Sequence, residues 1–122
     1  MVSRKFPKKK ELDLINTIQF SDLFNLKEIQ ELQDLFSEAN GVASIITHPD
    51  GTAITEPSNF CRLCRDIVRS TEAGLNNCFK SDVLLGLKNE TIPAIQPCIG
   101  AGLWNASARV TVGGNYIANW VI

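Results

Sequence analysis

The chain has 122 residues, enough for one domain with one core. Hydrophobic residues make up 44% and charged residues 20%, which is ordinary globular usage, and a formal net charge of -1 gives no whole-chain basic field of the kind nucleic-acid binding calls for. No stretch approaches the length of a bilayer span, and Glu11, Asp13, Asn16 and Gln19 interrupt the region where a secretory signal would be continuously apolar, so the expected setting is a reducing cytoplasm.

Residues 1–24 read as a basic N-terminal lead-in or linker. Arg4, Lys5, Lys8, Lys9 and Lys10 charge its start, and apolar positions from Leu12 to Phe24 also allow a helix leading into the domain. The domain itself is placed at 25–122. Asn25 can cap a first amphipathic helix with Glu28 three residues on, and Leu26, Ile29, Leu32, Leu35, Phe36 and Ala39 recur at helical spacing. Asn40-Gly41 ends it, because both residues tolerate the left-handed conformation. Val42 to Thr47 is β-branched enough for a strand, His48-Pro49-Asp50-Gly51 is a turn, and Thr52 to Thr55 can return as a second short strand.

Glu56 to Asn59 breaks the sheet and caps a helix over about Phe60 to Arg69. That helix sets Cys61 and Cys64 one turn apart on one face. A second helix is expected over about Leu75 to Leu87, with Cys78 in its first turn. Lys88 to Pro93 is a loop, Ala94 to Cys98 an extended segment, and Gly100-Ala101-Gly102 a bend. Strands at Ala106 to Val112 and Tyr116 to Ile122 flank a Gly113-Gly114-Asn115 hairpin turn. The order predicts an α+β domain with helices packed on one face of an antiparallel sheet, and the space between the layers suits a small ligand. The last strand stops on Trp120-Val121-Ile122, a bare apolar end that reads as a C-terminally truncated fragment of a longer polypeptide.

All four cysteines fall between residues 61 and 98. The pattern is C-x2-C followed by two single cysteines, without the second C-x-x-C of a zinc ribbon. Three readings stay open. Cys61, Cys64, Cys78 and Cys98 hold a metal or cofactor, either zinc or an iron–sulfur cluster; or they are reduced thiols facing a pocket or core; or they form disulfides. Asn59, Phe60, Trp104 and Trp120 are the candidate ligand-binding residues beside them, with core packing, or helix capping for Asn59, as the plainer roles. Ser81 and Asp82 read as part of a solvated helix face. The one histidine, His48, sits in a turn, so no Cys-His nucleophile pair or His-based catalytic metal site can be assembled and no enzyme is expected.

Several of these segments, taken in order, resemble one known family. Glu56-Pro57-Ser58-Asn59-Phe60-Cys61-Arg62-Leu63-Cys64 is similar to the "psnFC.lC" segment of the PocR-type sensory domain. Ser70 to Cys78 continues it, with Ser81-Asp82 just after. Cys98 and Ala101-Gly102-Leu103-Trp104 resemble its "C..aGLwd" segment, and Val112 to Trp120 its closing "vgG.hianW" hairpin. The family usually runs on into a "l.GQv" strand end that is missing here. Asn105-Ala106 stands where an aspartate often follows the tryptophan, and Asn115-Tyr116 replaces the usual histidine position.

The resemblance implies a PAS-like sensory domain of bacterial or archaeal signalling proteins such as two-component histidine kinases, diguanylate cyclases or transcription regulators. It implies a small-molecule ligand, with short diols proposed for the family. The expected partners are that ligand, a downstream signalling domain and a second copy forming a homodimer through the N-terminal helix, with no nucleic acid and no membrane span. The alternative is a structural zinc-binding interaction domain without a sensing role.

Overall fold

The structure is a computed structural model that describes residues 18–88 and 92–122. The basic stretch at the chain start and the middle of the loop before β2 lie outside the described residues. Among the described residues, two helices come first, α1 at Phe20–Leu23 and α2 at Leu26–Asn40, followed by strand β1 at Ile45–Thr47. A π-helical turn at Leu63–Ile67 runs into a 3-10 turn at Val68–Ser70, and α3 follows at Glu72–Lys88. Strands β2 at Ala94–Pro97, β3 at Trp104–Val112 and β4 at Asn115–Val121 complete an antiparallel sheet of order β1-β4-β3-β2.

α2 begins and ends as its sequence predicts. The Asn25 side chain accepts from the Lys27 and Glu28 amides, and Gly41 takes φ 64° at the C-cap. Its buried side differs from the leucine pattern. Gln33 and Ser37 are fully buried, whereas Leu32 is 53% and Leu35 64% exposed. Gln33 is the reason: its amide donates to the Ser44 and Glu56 carbonyls and to the Ser58 hydroxyl, and its oxygen accepts from Thr55. One side chain thus joins polar groups of two loops, adding to the bonds that Gln30, Asp34, Ile46 and Ser58 already make to them.

The second strand expected at Thr52 to Thr55 is reduced to one bridge, Thr47 to Ala53. The Thr55 hydroxyl accepts the Ile46 amide at 2.9 Å, replacing a backbone ladder bond. The helix expected over 60–69 is not a regular α-helix. The Val68 amide is shared between the carbonyls of Leu63 and Cys64, which widens the turn. α3 starts earlier than expected, because Thr71 caps it through its hydroxyl to the Gly74 amide at 3.0 Å. Cys78 therefore lies beyond the first turn. Gly74 belongs to the helix because only a missing side chain fits there: a Cβ would stand 1.7 Å from the Val68 carbonyl oxygen.

Consecutive strand residues point to opposite faces, so Ile45 and Ile46 divide the core. Ile46, Ile117 and Ala118 join Phe20, with Phe24, Ile29 and Trp120 packed around them. Ile45 and Val121 join Leu85 of α3, with Phe60 and Ala94 beside them. The α+β class and the antiparallel sheet are as the sequence predicts, and the central helical segments do share one face. The N-terminal pair covers the other, which the sequence pattern did not reveal. Residues 18–24 thus include a core residue, Phe20, at 3% exposure. A bulge between Val110 and Thr111 precedes the Gly113-Gly114 turn, whose φ values of 57° and 80° suit the tight hairpin. Among the described residues, no helix is long and apolar enough to cross a membrane.

Candidate functional site

A cavity of about 550 Å³ opens between one end of the sheet and the helices over it. The sheet supplies Ile45, Val121 and Asn105, and the segment after the β1 turn supplies Asn59, Phe60 and Val68. α3 adds Cys78, Ser81 and Asp82, and the β2–β3 loop adds Cys98, Ala101 and Leu103. The volume suits a small organic molecule, and an apolar wall with a few convergent polar groups is the usual make-up of such a site.

The loop over the cavity is held by short-range bonds. The Cys98 amide donates to the Leu103 carbonyl at 2.8 Å and the Gly102 amide to the Cys98 carbonyl at 3.1 Å. The Ile99 amide donates to the Ser81 hydroxyl at 2.7 Å, which ties the loop to α3. Ser81 is therefore a buried fastening and not a solvated residue, and Asp82 beside it is buried as well.

All four cysteines line this one cavity, and all are free thiols. Cys61 is exposed at the rim. Its carbonyl accepts the Arg65 amide at 2.9 Å, and its sulfur is held by the amides of Cys64 and Leu63 and by the Cys64 thiol, which lower its pKa. Cys64 faces inward. Burial raises its pKa to about 11, helped by the hydrogen bond to Cys61 and by the neighbouring sulfurs of Cys61, Cys78 and Cys98. Burial also raises Cys78, against the pull of Arg69. The Cys98 sulfur accepts the Ala101 amide at 3.3 Å. Among the described residues, no group of three or more His, Cys, Asp or Glu is set to hold a metal ion. As arranged here, the four sulfurs share a wall without forming a coordination shell, and Arg69 places a cation among them.

Arg69 is the group that sequence reasoning passed over. It ends the predicted helix and carries no motif signal. In the fold its guanidinium lies 5.3 Å from the Phe60 ring centroid and 5.9 Å from that of Phe79. Between those rings it acts on both Cys78 and Asp82. Burial lifts the Asp82 pKa to about 7, with Arg69 pulling the other way. A carboxyl near its midpoint can donate or accept a hydrogen bond, and the fixed cation beside it favours an oxygen-bearing ligand. The only sequence trace of Asp82 is its place after Ser81 in the family-like segment.

The sequence-predicted ligand residues separate. Asn59, Phe60 and Trp104 line the cavity. Asn59 takes φ 52° and donates to the Val42 carbonyl at 3.2 Å, so it shapes a loop and caps no helix. Trp104 is 74% exposed, at the open side. Trp120 does not line the cavity. It points to the opposite face, edge-on to Phe36 at 5.2 Å, and its indole N–H donates to the Ser44 hydroxyl. Its place is set by strand alternation, since Val121 takes the cavity side. His48 stays in its turn, accepting the Gly51 amide at 3.0 Å through its carbonyl, away from the cavity lining.

No curated protein and no solved structure gives a significant match to the chain. A family model described as the sensory domain found in PocR matches residues 22–122. That span takes in the whole sheet, both central helical segments and every residue of the cavity wall, and the chain belongs to the PocR sensory-domain family.

Proposed function

We propose that this domain senses a small, largely apolar molecule carrying a hydroxyl or carbonyl oxygen, bound in the cavity between the sheet and α3. The observation that carries this reading is the pairing of an apolar wall with Arg69 and Asp82 inside it. Asp82 and Arg69 fix the ligand's oxygen, while Phe60, Val68 and Leu103 cover its carbon skeleton. The four thiols contribute soft, polarisable surface. The role is binding and not catalysis.

Ligand occupancy biases the domain between two arrangements only by as much as affinity differs between them. β4 borders the cavity through Val121 and meets α2 through Trp120, so a shift in the cavity wall has a direct route to the N-terminal helices. From there the state passes to a downstream signalling domain, such as a histidine kinase, in a cytoplasmic protein. Leu32 and Leu35 stand exposed one turn apart on α2 and give the expected homodimer an apolar contact face.

Thermal melting in the presence of short diols, alcohols and hydroxy-carbonyl compounds tests the reading. A ligand at one hundred times its Kd raises stability by about 2.7 kcal/mol. The same shift should disappear in Asp82→Ala. A second reading, a zinc or iron–sulfur centre held by Cys61, Cys64, Cys78 and Cys98, draws on their common cavity. It requires the sulfurs to close on one point. Metal analysis and the visible spectrum of anaerobically purified protein test it: a brown protein, or one equivalent of zinc, favours that centre over the ligand site.

A further inference from the structure

We propose that Cys61 and Cys64 form a reversible dithiol–disulfide site at the cavity rim, oxidised by small disulfides of the glutathione type. Both thiols line the same cavity, and the Arg65 amide donates to the Cys61 carbonyl at 2.9 Å, closing one helical turn that carries them both. They lie three residues apart, Cys61 just ahead of the widened Leu63–Ile67 turn and Cys64 within it, a separation that a disulfide spans without moving other elements. Their surroundings differ in the way a two-step exchange needs. Cys61 is exposed and meets a solvent-borne oxidant first, while Cys64 is partly buried behind it in the cavity wall. The other two thiols have separate partners. Cys98 accepts the Ala101 amide, and Cys78 lies against Arg69.

The exchange balances. The Cys61 thiolate attacks one sulfur of the small disulfide, a mixed disulfide forms on Cys61, and one small thiolate leaves and takes a proton from water. Cys64 then gives its proton to solvent as its sulfur attacks that of Cys61. The intramolecular disulfide forms, and the second small thiolate leaves. Two protein thiols are oxidised by two electrons, and one small disulfide is reduced to two thiols. Because Cys64 is part of the cavity wall, the bond also changes the surface a ligand meets. That coupling rests on the ligand reading above; the oxidation itself does not.

The test exposes the full chain to graded mixtures of oxidised and reduced glutathione, alkylates the remaining thiols and maps tryptic peptides by mass. Cleavage after Arg62 and Arg65 separates the two cysteines, so the expected bond appears as peptide 28–62 joined to peptide 63–65, with two thiols remaining. Cys64→Ser should stop at a stable glutathione adduct on Cys61, and Cys61→Ser should slow oxidation at neutral pH by about tenfold or more. A bond joining Cys78 to Cys98, glutathione spread evenly over all four cysteines, no loss of thiols, or unchanged oxidation in Cys61→Ser would overturn the proposal. None of these readouts depends on whether the cavity binds a diol or carbonyl compound.

Discussion

The Trp120 indole N–H donates to the Ser44 hydroxyl, and this bond connects the two covered faces of the sheet. Ser44 borders the cavity and also gives its carbonyl to Gln33 of α2, at 3.2 Å. Trp120 in turn meets Phe36 of the same helix. Replacing Trp120 with Phe keeps a ring against Phe36 and removes the donor. Stability should fall by about 1 kcal/mol in denaturant titration. Ligand-dependent hydrogen exchange in α2 should weaken while affinity at the cavity is kept.

Gln33 ties α2 to two loops at once. In Gln33→Leu the volume is nearly kept, but the Ser44 and Glu56 carbonyls and the Thr55 and Ser58 hydroxyls lose a buried partner. The Ser44 and Glu56 carbonyls and the Ser58 hydroxyl keep other partners, so the Thr55 hydroxyl is the group left without an acceptor, and a loss of about 1–3 kcal/mol is expected. Leu35→Gln on the exposed side should change monomer stability by less than about 0.5 kcal/mol. Chemical denaturation of the pair checks both values.

Gly74 is where α3 presses on the 3-10 turn. A Cβ there meets the Val68 carbonyl oxygen, which is backbone and has little room to yield. Gly74→Ala should destabilise the domain by about 1–3 kcal/mol or more through this clash, despite alanine's better helix propensity. The same displacement moves Arg69 and Cys78, so cavity binding should weaken with it. Melting curves and ligand titration on one sample separate the two effects.

Much of this architecture was readable in the sequence. The ends of α2 show because Asn25 and Gly41 act locally, and the closing hairpin shows because Gly113-Gly114 sets its turn. Gathering of the cysteines on one wall also follows from their elements. The inner side of α2 was hidden, because Gln33 wins the buried position by satisfying four polar groups, a gain that hydrophobic spacing does not register. Whether Trp120 faces the cavity or the core depends on strand phase, and a shift of one residue reverses the face. Arg69 and Asp82 carry no pattern of their own. Their roles arise from α3 crossing beside the π-helical turn, a long-range arrangement that single-residue signals do not encode.

Asp82 should leave a signature in pH dependence. Its folded pKa of about 7 lies above the unfolded 3.8, so the folded state holds the extra proton between those values. Stability therefore falls as pH rises from about 4 to about 7 and then levels, by an amount on the order of a few kcal/mol. Arg69 and Cys78 face the carboxyl, and the charge of Arg69 limits the drop. Asp82→Asn should flatten that slope and be more stable than the parent at pH 8. Urea titrations across pH 4 to 8 check the sign.

Ala101 sits on the loop over the cavity, half-buried, where an indole would fill the space without entering either core cluster. Calorimetric titration of short diols and hydroxy-carbonyl compounds into the parent chain and into Ala101→Trp is the most direct measurement. The account predicts saturable one-to-one binding to the parent and a loss of at least about tenfold in Ala101→Trp with the melting temperature kept. Equal affinity in the two proteins would place the ligand elsewhere and contradict the cavity as the sensing site.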